Sequence, residues 1–545
     1  MTNLLKNLKQ KTNIDNQENS KILVDTLVKL GVDRIFGYPG ASVLSIYNEL
    51  SKTNLIKHYL VRHEQAAVHA AEGYARVSGK PGVVLVTSGP GFTNTITGIA
   101  NAYADSTPLV VLAGDVSVKS SRNKIFQDVN IVEICKTCSK KTYKLSYNDN
   151  IAEIIQDALY TANSGKKGPV VVALPRKILE SKSKNFLNIT KTNNYIKKDF
   201  SIQINQFIDK INYSKRPLIL IGGGCIDSIE EVRKLAEKLS CPIVSTLMGI
   251  GIYPSKSQNY LGMIGINGTR SANFALENCD LLISLGVSFS DRSTCKNQDF
   301  TKKTKIISIN LESFSNNLEL EIIADIKEFL TQLFDKNIII KNNFSWKNQF
   351  SNIIQQKQNK KQIINNKLHS SFVIETISEY TKQLEPIIVT DVGQHQMLTA
   401  QFFNFTKPRK FITSGGLGTM GFGLPAAIGA QIAKPNSLVL NITGDGSFQM
   451  NLQELATCRE HNIPVKIIIM NNSYLGMVRQ LQEKIYNSRY QVEMINPDFT
   501  KIAEAYDLFA IRITKKEELI NGINEAINHK GTAIIDIMID SFEDI

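Results

Sequence analysis

Two polar residues in the last third of the chain, Asp445 and Asn472, have the types and the spacing of a metal site. Asp445 lies between Gly444 and Gly446, and 24 residues separate that triplet from the pair Asn471-Asn472. A carboxylate and an amide oxygen are hard ligands suited to Mg²⁺, which keeps its other positions for phosphate oxygens and water. The flanking glycines let the backbone approach an anion closely. The pattern predicts a clamp for a metal ion and a diphosphate.

The elements around this motif are expected to bring the two side chains together. An Asp-Gly pair alone is usually only a turn. Here an apolar strand ends at Asp445, a helix begins near Asn451, and a second apolar strand, 465–470, ends at the Asn pair. That spacing is typical of one β-α-β unit. Because open α/β sheets bind ligands beyond the carboxyl ends of their strands, both residues are expected at that edge.

The same alternation of helical patterns and short apolar runs recurs along the whole chain. It predicts an α/β protein with three doubly wound domains and mainly parallel sheets. Segments crowded with Lys and Asn separate the regions. We predict a flexible polar tail at 1–19 and domains at 20–182, 202–340 and 368–545. The strand candidates are 57–61, 82–87, 108–113, 170–173, 218–221, 386–390, 437–442 and 464–470.

Composition excludes several classes of protein. With 545 residues, 42% of them apolar and 21% charged, the chain is too long for one core and too apolar to be disordered. It has no apolar run long enough to span a bilayer, and its first twenty residues lack the apolar block of a secretory signal. The net charge of +13 comes from scattered lysines without a basic, aromatic-interleaved stripe. We therefore expect neither a membrane nor a nucleic-acid partner.

Cysteine usage favours a reducing compartment. The chain has seven cysteines, an odd number, which indicates reduced thiols and a cytoplasmic location. Cys135 and Cys138 form a CxxC pair, but no second pair stands at zinc spacing. The sequence alone therefore favours two ordinary thiols over a metal site.

Beyond the metal motif, the chain resembles a known family over most of its length, from about residue 20 to 539. The resemblance is to the large, catalytic subunit of acetolactate (acetohydroxyacid) synthase. Matching blocks are Gly37-Tyr38-Pro39-Gly40, Arg62-His63-Glu64-Gln65, Thr87-Ser88-Gly89-Pro90-Gly91, Thr390-Asp391-Val392-Gly393-Gln394-His395-Gln396-Met397, Gly415-Gly416-Leu417-Gly418-Thr419-Met420-Gly421 and residues 472–478.

The resemblance implies a cofactor, a reaction and an assembly. The cofactor is thiamine diphosphate, held through Mg²⁺ between the pyrimidine-binding first domain of one subunit and the diphosphate-binding third domain of another. The reaction is decarboxylation of pyruvate and ligation to a second 2-oxo acid, pyruvate or 2-oxobutanoate, in branched-chain amino-acid synthesis. A homodimer or tetramer is expected, together with a possible small regulatory subunit.

In the first domain, the resemblance assigns Glu64 to the carboxyl group that hydrogen-bonds the aminopyrimidine ring and relays a proton there. Position alone favours a residue of the first helical turn that suits the helix dipole. The matching blocks on either side favour the catalytic role. The resemblance further assigns Gly37 and Pro39 to the cofactor, and Phe126, Gln127 and Lys140 to the substrate channel, although such side chains are ordinarily packing or surface residues.

In the third domain, the resemblance assigns Gln394 and His395 as hydrogen-bond donors to the diphosphate. It places the Met420 side chain between the two rings of the bent cofactor, where the alternative is an apolar residue at a helix entry. It adds Tyr474 to the metal site of Asp445 and Asn472. Further cofactor-binding residues implied in the same way are Met397, Gly418, Gly444, Gly446 and Ser447.

The middle domain resembles the FAD-binding domain of the biosynthetic enzymes. A glycine triplet follows a strand there, and glycines let the backbone approach a dinucleotide. A triplet alone is weak support, and its combination with neighbouring blocks implies FAD. The residues implied are Gly222, Gly223, Gly224, Thr246, Leu247, Met248, Gly262 and Arg292, the last facing either FAD phosphates or a substrate carboxylate.

Two departures from the family bear on the reaction. Leu481 stands where the family usually has Trp, which leaves the choice of acceptor open because a preference for one extra methylene depends on close apolar contact. The chain stops at 541–545, where the family continues through a tail that helps cover the active site, so simple decarboxylation is expected to compete with ligation.

These departures keep alternative functions open. One is a related thiamine diphosphate-dependent decarboxylase, carboligase or flavin oxidase with another acceptor. Another is an inactive, cofactor-binding paralogue with a structural or regulatory role. The presence of Glu64, Asp445 and Asn472 argues against an inactive protein.

Overall fold

The computed structural model describes residues 16–116, 125–183, 198–289, 304–313, 318–336 and 368–544. The chain divides into two compact units, the first with Met1–Ala75 and Gly79–Asn194, the second with Arg76–Ser78 and Tyr195–Ile545. Within the described residues the first unit contains one six-stranded sheet and the second unit contains two. All three are parallel throughout, which confirms the predicted α/β fold with doubly wound sheets.

The first unit has its strands in the order β2-β1-β3-β4-β6-β5. Those strands are β1 (Arg34–Gly37), β2 (Lys57–Leu60), β3 (Gly82–Val86), β4 (Leu109–Asp115), β5 (Lys141–Lys144) and β6 (Pro169–Pro175). The helices are α1 (Asn19–Lys29), α2 (Leu44–Leu50), α3 (Glu64–Ser78), α4 (Pro90–Thr93), α5 (Ile96–Ala104), α6 (Ile131–Cys135), α7 (Ile151–Asn163) and α8 (Arg176–Leu179).

The strands of this sheet are covered on both faces, which is why they read as continuous apolar runs. Every residue of β3, β4 and β6 is buried. Side chains from α1 and α7, including Leu23, Leu27 and Ile155, form one cluster with Val83, Leu85 and other strand residues. The sheet therefore presents its functional residues from the ends of its strands.

The second unit begins with a sheet in the order β9-β8-β7-β10-β11-β12. Its strands are β7 (Pro217–Ile221), β8 (Ile243–Ser245), β9 (Tyr260–Met263), β10 (Leu281–Leu285), β11 (Lys305–Asn310) and β12 (Leu320–Ile323). Its helices are α9 (Ser201–Tyr213), α10 (Ile229–Leu239), α11 (Arg270–Asn278) and α12 (Ile326–Asp335).

The last sheet has the order β14-β13-β15-β16-β18-β17, the same connectivity as the sheet of the first unit. Its strands are β13 (Ile387–Thr390), β14 (Phe411–Ile412), β15 (Val439–Gly444), β16 (Lys466–Asn471), β17 (Phe509–Ile513) and β18 (Ala533–Met538). Its helices are α13 (Ser370–Tyr380), α14 (Gln394–Phe402), α15 (Gly423–Ala433), α16 (Asp445–Phe448), α17 (Leu455–His461), α18 (Gly476–Tyr486), α19 (Phe499–Ala505) and α20 (Leu519–Asn528).

The two sheets of the second unit share part of their apolar packing. Ile250 follows β8, and Met263 is the last residue of β9. Both lie in one buried cluster with Leu398, Phe403 and Phe405, which pack against the last sheet. The backbones also approach closely, since a Cβ at Gly251 would lie 2.7 Å from the Lys407 carbonyl oxygen. The two sheets therefore belong to one compact unit.

All eight predicted strands lie on observed strands, with ends shifted by up to a few residues. The candidates did not include the apolar interior strands β10 and β18 or the short edge strands β5 and β14. Within the described ranges, no helix is long and apolar enough to cross a membrane.

Candidate active site

The β15-α16 junction and the end of β16 place Asp445 and Asn472 at the same edge of the last sheet. The two strands pair in parallel with Gly444 opposite Met470, so that each polar residue follows its strand directly. This matches the predicted β-α-β unit, although the intervening helix begins as a 3₁₀ turn at Leu452–Glu454.

The Asp445 carboxylate is buried among hydrogen-bond donors. Its Oδ2 accepts from Asn496 Nδ2 at 2.6 Å and from the Ser473 amide at 2.9 Å. Burial raises the pKa of this carboxyl to about 6, although these hydrogen bonds oppose the increase. A buried carboxylate that the protein keeps at such a cost is typical of a site where a cation completes the charge balance.

The turn after β16 holds Asn472 and Tyr474 in position. The Tyr474 amide donates to Asn472 Oδ1 at 3.0 Å, and Ser473 between them has φ of 59°. Tyr474 also pairs with Glu493 in an antiparallel bridge. The turn is thereby fixed at both ends, with the Asn472 oxygen still holding a second lone pair for a ligand.

This donor set fits Mg²⁺. No group of three or more His, Cys, Asp or Glu side chains that could hold a metal occurs in the described part of the chain. The site instead combines one carboxylate and one amide oxygen, and Mg²⁺ is bound by few protein oxygens together with water and phosphate. Space beside Asp445 is limited by close packing, because a Cβ at Gly446 would lie 3.1 Å from Leu475 Cδ2.

His395 lies against this junction with an unused ring nitrogen. A Cβ at Gly393 or at Gly444 would lie 2.9 or 3.0 Å from His395 Cε1. The ring is buried, and Nε2 has no hydrogen-bond partner among the described residues. Burial lowers the pKa of His395 to about 4. A diphosphate bound here would favour the charged ring, which donates from both nitrogens, so the orphaned Nε2 fits such a ligand.

Gln394 turns toward the C-terminal residues. Its Nε2 donates to the Glu543 carbonyl oxygen at 3.0 Å, and its Oε1 lies 2.0 Å from where a Cβ on Gly476 would be. The buried Arg479 donates to Asp544 Oδ1 at 2.7 Å and to the Glu543 carbonyl oxygen at 3.3 Å. Residues 540–544, which we call the C-terminal segment, therefore lie at the edge of the candidate metal site.

A buried aspartate anchors the loop that carries Gly418 and Met420. Asp391 Oδ1 accepts from the Gly421 amide at 3.0 Å, and its Oδ2 accepts from the Gly423 amide at 2.8 Å. Gly418 is exposed with φ of 71°, and Met420 is half-buried. The loop is thus fixed at one end while its predicted cofactor-binding residues stay accessible.

The remaining third-domain predictions lie within the framework of the site. Met397 packs against the buried cluster of the last sheet. Ser447 is buried, and its hydroxyl donates to the Gly444 carbonyl oxygen at 3.4 Å.

In the first unit, one loop brings Glu64 and Gln127 together. Glu64 is the first residue of α3 and accepts from Asn94 Nδ2 at 2.9 Å. A Cβ at Gly91 would lie 3.4 Å from Glu64 Oε1, and a Cβ at Gly89 would lie 2.7 Å from Gln127 Cβ. Both side chains therefore border residues 87–91, which form the loop after β3 and the first turn of α4.

The other first-unit predictions are placed differently. Lys140 Nζ donates to the carbonyl oxygens of Thr161 and Ser164 at 2.6 and 2.5 Å, where it caps the end of α7. Gly37 ends β1 against the Leu85 carbonyl oxygen, 2.0 Å from where its Cβ would be, and Pro39 is exposed. Phe126 is 83% exposed.

A buried polar network stabilises α3 behind Glu64. Glu72 accepts from Asn101 Nδ2 at 3.0 and 2.9 Å and lies 3.0 Å from His69 Nδ1. All three side chains are fully buried.

In the middle sheet, the predicted glycine triplet follows β7. A Cβ at Gly222 would lie 2.2 Å from the Gly286 carbonyl oxygen, and one at Gly224 would lie 2.8 Å from Gly286 Cα. A Cβ at Gly223 would lie 3.1 Å from Met248 Cβ, and Thr246 and Leu247 follow β8. Gly262 in β9 has φ of 108°, and Arg292 lies outside the described residues.

Asp391, Asn94 and Asn496 were not among the predicted site residues. Asp391 follows β13 directly, as Asp445 follows β15, so its place at a strand end was a usable signal. Asn94 and Asn496 lie in segments without such a pattern and reach the site only through the fold.

Comparison with protein families gives three consecutive matches. Residues 18–134 match the N-terminal TPP binding domain of thiamine pyrophosphate enzymes, 204–333 match the central domain, and 391–537 match the C-terminal TPP binding domain.

Similar proteins cover nearly the whole chain. The acetolactate synthase large subunit of Buchnera aphidicola (subsp. Schizaphis graminum) is 39% identical over 96% of this chain and 95% of its own length. Acetolactate synthase isozyme 3 large subunit of Escherichia coli is 37% identical over 96% and 95%. The chloroplastic acetolactate synthase of Arabidopsis thaliana is 37% identical over 96% and 81%. The chain therefore belongs to the acetolactate synthase large-subunit family of thiamine pyrophosphate enzymes.

Proposed function

We propose that this chain decarboxylates pyruvate and joins the remaining two-carbon unit to a second 2-oxo acid, with thiamine diphosphate and Mg²⁺ as cofactors. The observation that carries the proposal is the placement of Asp445 and Asn472 at the ends of adjacent parallel strands in a member of this family. The proposed step belongs to branched-chain amino-acid biosynthesis.

Asp445, Asn472 and the Tyr474 backbone are the proposed metal ligands. The first two have oxygen atoms beyond their strand ends, held by Asn496 and by the turn at Ser473. His395 Nε2 is the proposed donor to the diphosphate. Gln394 Nε2, predicted for the same role, donates to the Glu543 carbonyl oxygen and to Gln480 Oε1, so it would have to exchange one of these bonds for one to the diphosphate. Gly444, Gly446 and Gly418 are the proposed positions at which the backbone approaches the diphosphate. When bound, thiamine diphosphate supplies a thiazolium carbon that adds to a ketone and accepts the electrons left by departing CO₂.

Glu64 is the proposed proton-relay residue. Its carboxylate is half-buried and is oriented by Asn94 Nδ2, which leaves Oε1 available to a ring nitrogen of the cofactor. Gln127, held at the same loop by Ser88, is the proposed group that orients the substrate. Lys140 is engaged by the carbonyl oxygens of α7, so its proposed contribution to the substrate channel is its charge.

We further propose FAD in the middle domain. In chain order its strands are arranged 3-2-1-4-5-6, and dinucleotides bind where that order reverses, between β7 and β10. Gly222, Gly223 and Gly224 follow β7 at that position, with Thr246, Leu247 and Met248 beside them after β8.

Partners are proposed from the same resemblance. The substrates are small 2-oxo acids, the assembly is a homodimer or tetramer, and a small regulatory subunit joins the complex. A cytoplasmic location suits these partners. Leu481, exposed on α18, is expected to weaken the discrimination between pyruvate and 2-oxobutanoate as acceptors.

The test is turnover of pyruvate by the purified chain with Mg²⁺, thiamine diphosphate and FAD, each omitted in turn, with acetolactate, acetaldehyde and CO₂ quantified. We expect acetolactate to form in the complete mixture and not to form when thiamine diphosphate or Mg²⁺ is omitted. Glu64→Gln should lower kcat about 100-fold or more, whereas Glu153→Gln, an exposed residue of α7, should leave it unchanged.

The products separate the competing functions. Acetaldehyde and CO₂ without acetolactate would indicate that the chain catalyses simple decarboxylation and not ligation. No turnover, even with 2-oxobutanoate added, would favour the inactive paralogue. Flavin that stays with the protein on gel filtration, but is not needed for turnover, would assign FAD a structural role.

A further inference from the structure

The CxxC pair of the first unit lies in a turn whose geometry suits a disulfide. Cys135 ends α6, and its carbonyl oxygen accepts from the Cys138 amide at 3.1 Å and from the Ser139 amide at 3.0 Å. A turn closed by such a hydrogen bond keeps its first and fourth Cα atoms within about 7 Å, the range that a disulfide spans. The backbone therefore needs no large movement to join the two sulfurs.

The two thiols have unequal environments. Cys135 is fully buried, whereas Cys138 is half-exposed. The neighbouring Cys135 thiol lowers the pKa of Cys138 to about 7, and the interaction with Cys138 raises the pKa of Cys135. In the reduced state the Cys138 thiol donates to the Ile134 carbonyl oxygen at 3.7 Å. The accessible sulfur is thus the better nucleophile at neutral pH, and the buried one lies next to it.

Four other described cysteines lack this combination. Cys225, Cys241, Cys279 and Cys458 are all buried. Burial raises the pKa of Cys225 and Cys279 to about 12 and raises that of Cys458 further. Such thiols react slowly because little thiolate is present and access is poor.

We propose that Cys135 and Cys138 form a redox-active dithiol that a small disulfide such as oxidised glutathione converts to an intrachain disulfide. In the first step the Cys138 thiolate attacks one sulfur of glutathione disulfide, which forms a mixed disulfide and releases one glutathione thiolate. In the second step Cys135 loses its proton and attacks the Cys138 sulfur, which releases the second glutathione. The protein dithiol is oxidised by two electrons, and the small disulfide is reduced to two thiols.

This disulfide is reversible rather than structural. The loop that it closes contains only the turn 135–138, and short loops gain little stability from a crosslink. An accessible disulfide is also open to attack by a reducing thiol. The turn lies between Gln127 and β5. Its oxidation can be measured without measuring catalysis.

The sequence supplies a direct readout. Trypsin cleaves after Lys124, Lys136 and Lys140, so Cys135 and Cys138 fall on separate peptides, 125–136 and 137–140. These peptides stay together without reduction only if a disulfide joins them. The full-length chain is reduced, desalted, incubated with glutathione disulfide, alkylated, digested and analysed by mass spectrometry.

We expect the linked pair 125–136/137–140 in the native chain and its loss after added dithiothreitol. In Cys135→Ser the attack has no resolving thiol, so one glutathione should remain on Cys138. In Cys138→Ser neither modification should appear on Cys135. Cys458→Ser, a buried control, should behave as the native chain does.

Three results would overturn the proposal. The first is a native chain without the linked pair at glutathione ratios that oxidise a reference dithiol. The second is stable glutathione on Cys138 in the native chain, since Cys135 would then fail to resolve it. The third is equal labelling of Cys135 in Cys138→Ser. None of these outcomes depends on acetolactate synthesis, so the proposed function is tested separately.

Discussion

At the scale of single residues, burial of the Asp445 carboxylate lowers the stability of the fold and is expected to raise the affinity for a cation. Its raised pKa, about 6, indicates that burial of the charge is unfavourable in the absence of a cation. Asp445→Asn keeps an oxygen but removes the charge. We expect Mg²⁺ affinity in the presence of thiamine diphosphate to fall at least about tenfold, measured by calorimetric titration.

The same variant should not be destabilised in metal-free buffer, because the unpaired buried charge is gone. Thermal unfolding with a chelator checks this. A clearly lower Tm than that of the native chain would mean that the Asn496 and Ser473 contacts outweigh the cost of the charge, and the metal-site assignment would lose its main physical support.

His395 should make stability depend on pH. Its folded pKa of about 4 lies below the unfolded value of about 6.5, so the unfolded chain binds the proton more readily. The stability that neutral His395 provides is complete above pH 6.5 and is lost as the pH falls toward 4. Between about pH 7.5 and about pH 5 the loss is about 2 kcal/mol, and urea unfolding of cofactor-free protein measures it.

His395→Gln is the control for this effect. It should lose about 2 kcal/mol less over the same interval, since glutamine does not titrate. Asp445, whose raised pKa acts in the opposite direction, is present in both proteins and cancels in the difference. Equal pH dependence in the two proteins would exclude a buried neutral imidazole.

At the scale of elements, α3 depends on its buried polar network. Glu72→Ala removes the carboxylate that accepts from Asn101 and lies beside His69. The buried polar groups of Asn101 and His69 then lose this interaction. We expect a loss of about 3–5 kcal/mol in the free energy of unfolding. Glu153→Ala, on the exposed side of α7, should change it by less than about 1 kcal/mol. Similar effects for both variants would show that the network contributes little.

The helix α18 should hold the C-terminal segment through Arg479. Arg479→Ala removes the donors to Asp544 and to the Glu543 carbonyl oxygen. Charge-assisted hydrogen bonds of this kind predict at least about tenfold faster amide exchange in 540–544, measured by mass spectrometry. Arg176→Ala, at an exposed position of α8, is the matched control. Phe542 also contacts Tyr474, with the ring centroids 5.8 Å apart. Unchanged exchange would mean that this contact holds the C-terminal segment without Arg479.

Some of the strands and site residues could be predicted from the sequence, and others could not. Strands such as β3 and β15 were predictable because burial on both faces gives a continuous apolar run. The edge strand β5 is mixed in character and β14 has only two residues, so neither gives a run to recognise. The interior strands β10 and β18 have the same apolar, buried character as β3 and were recognisable by the same rule, although they were not among the candidates. At the site, Asp445 follows a local pattern, whereas Asn496 comes to it by tertiary structure alone.

At the scale of the whole molecule, the proposed boundaries predict different behaviour for different fragments. Among the described residues, the buried cluster of the first unit is formed by side chains of that unit. Residues 16–183 expressed alone should therefore unfold cooperatively. In contrast, Ile250 and Met263 share a core with Phe403 and Phe405, so that a fragment 368–544 should expose apolar surface and aggregate, whereas 198–544 should not.

Calorimetry and gel filtration of the three fragments measure this difference. A soluble, cooperatively unfolding 368–544 would show that the shared cluster is dispensable, and the third predicted domain would then be independent. If the fragment 16–183 showed no unfolding transition in calorimetry, the first unit would not fold independently.

The strand order of the first and last sheets has a consequence for synthesis on the ribosome. In each sheet the strand that comes fifth in the chain is an edge strand, and its neighbour in the described sheet comes sixth. A nascent chain therefore exposes β17, with the apolar residues Phe509 and Ile511, before β18 has been translated to pair with it. During that interval the unpaired strand is a site for chaperone binding or for association with another nascent chain, and the time taken to translate 514–538 sets how long the exposure lasts.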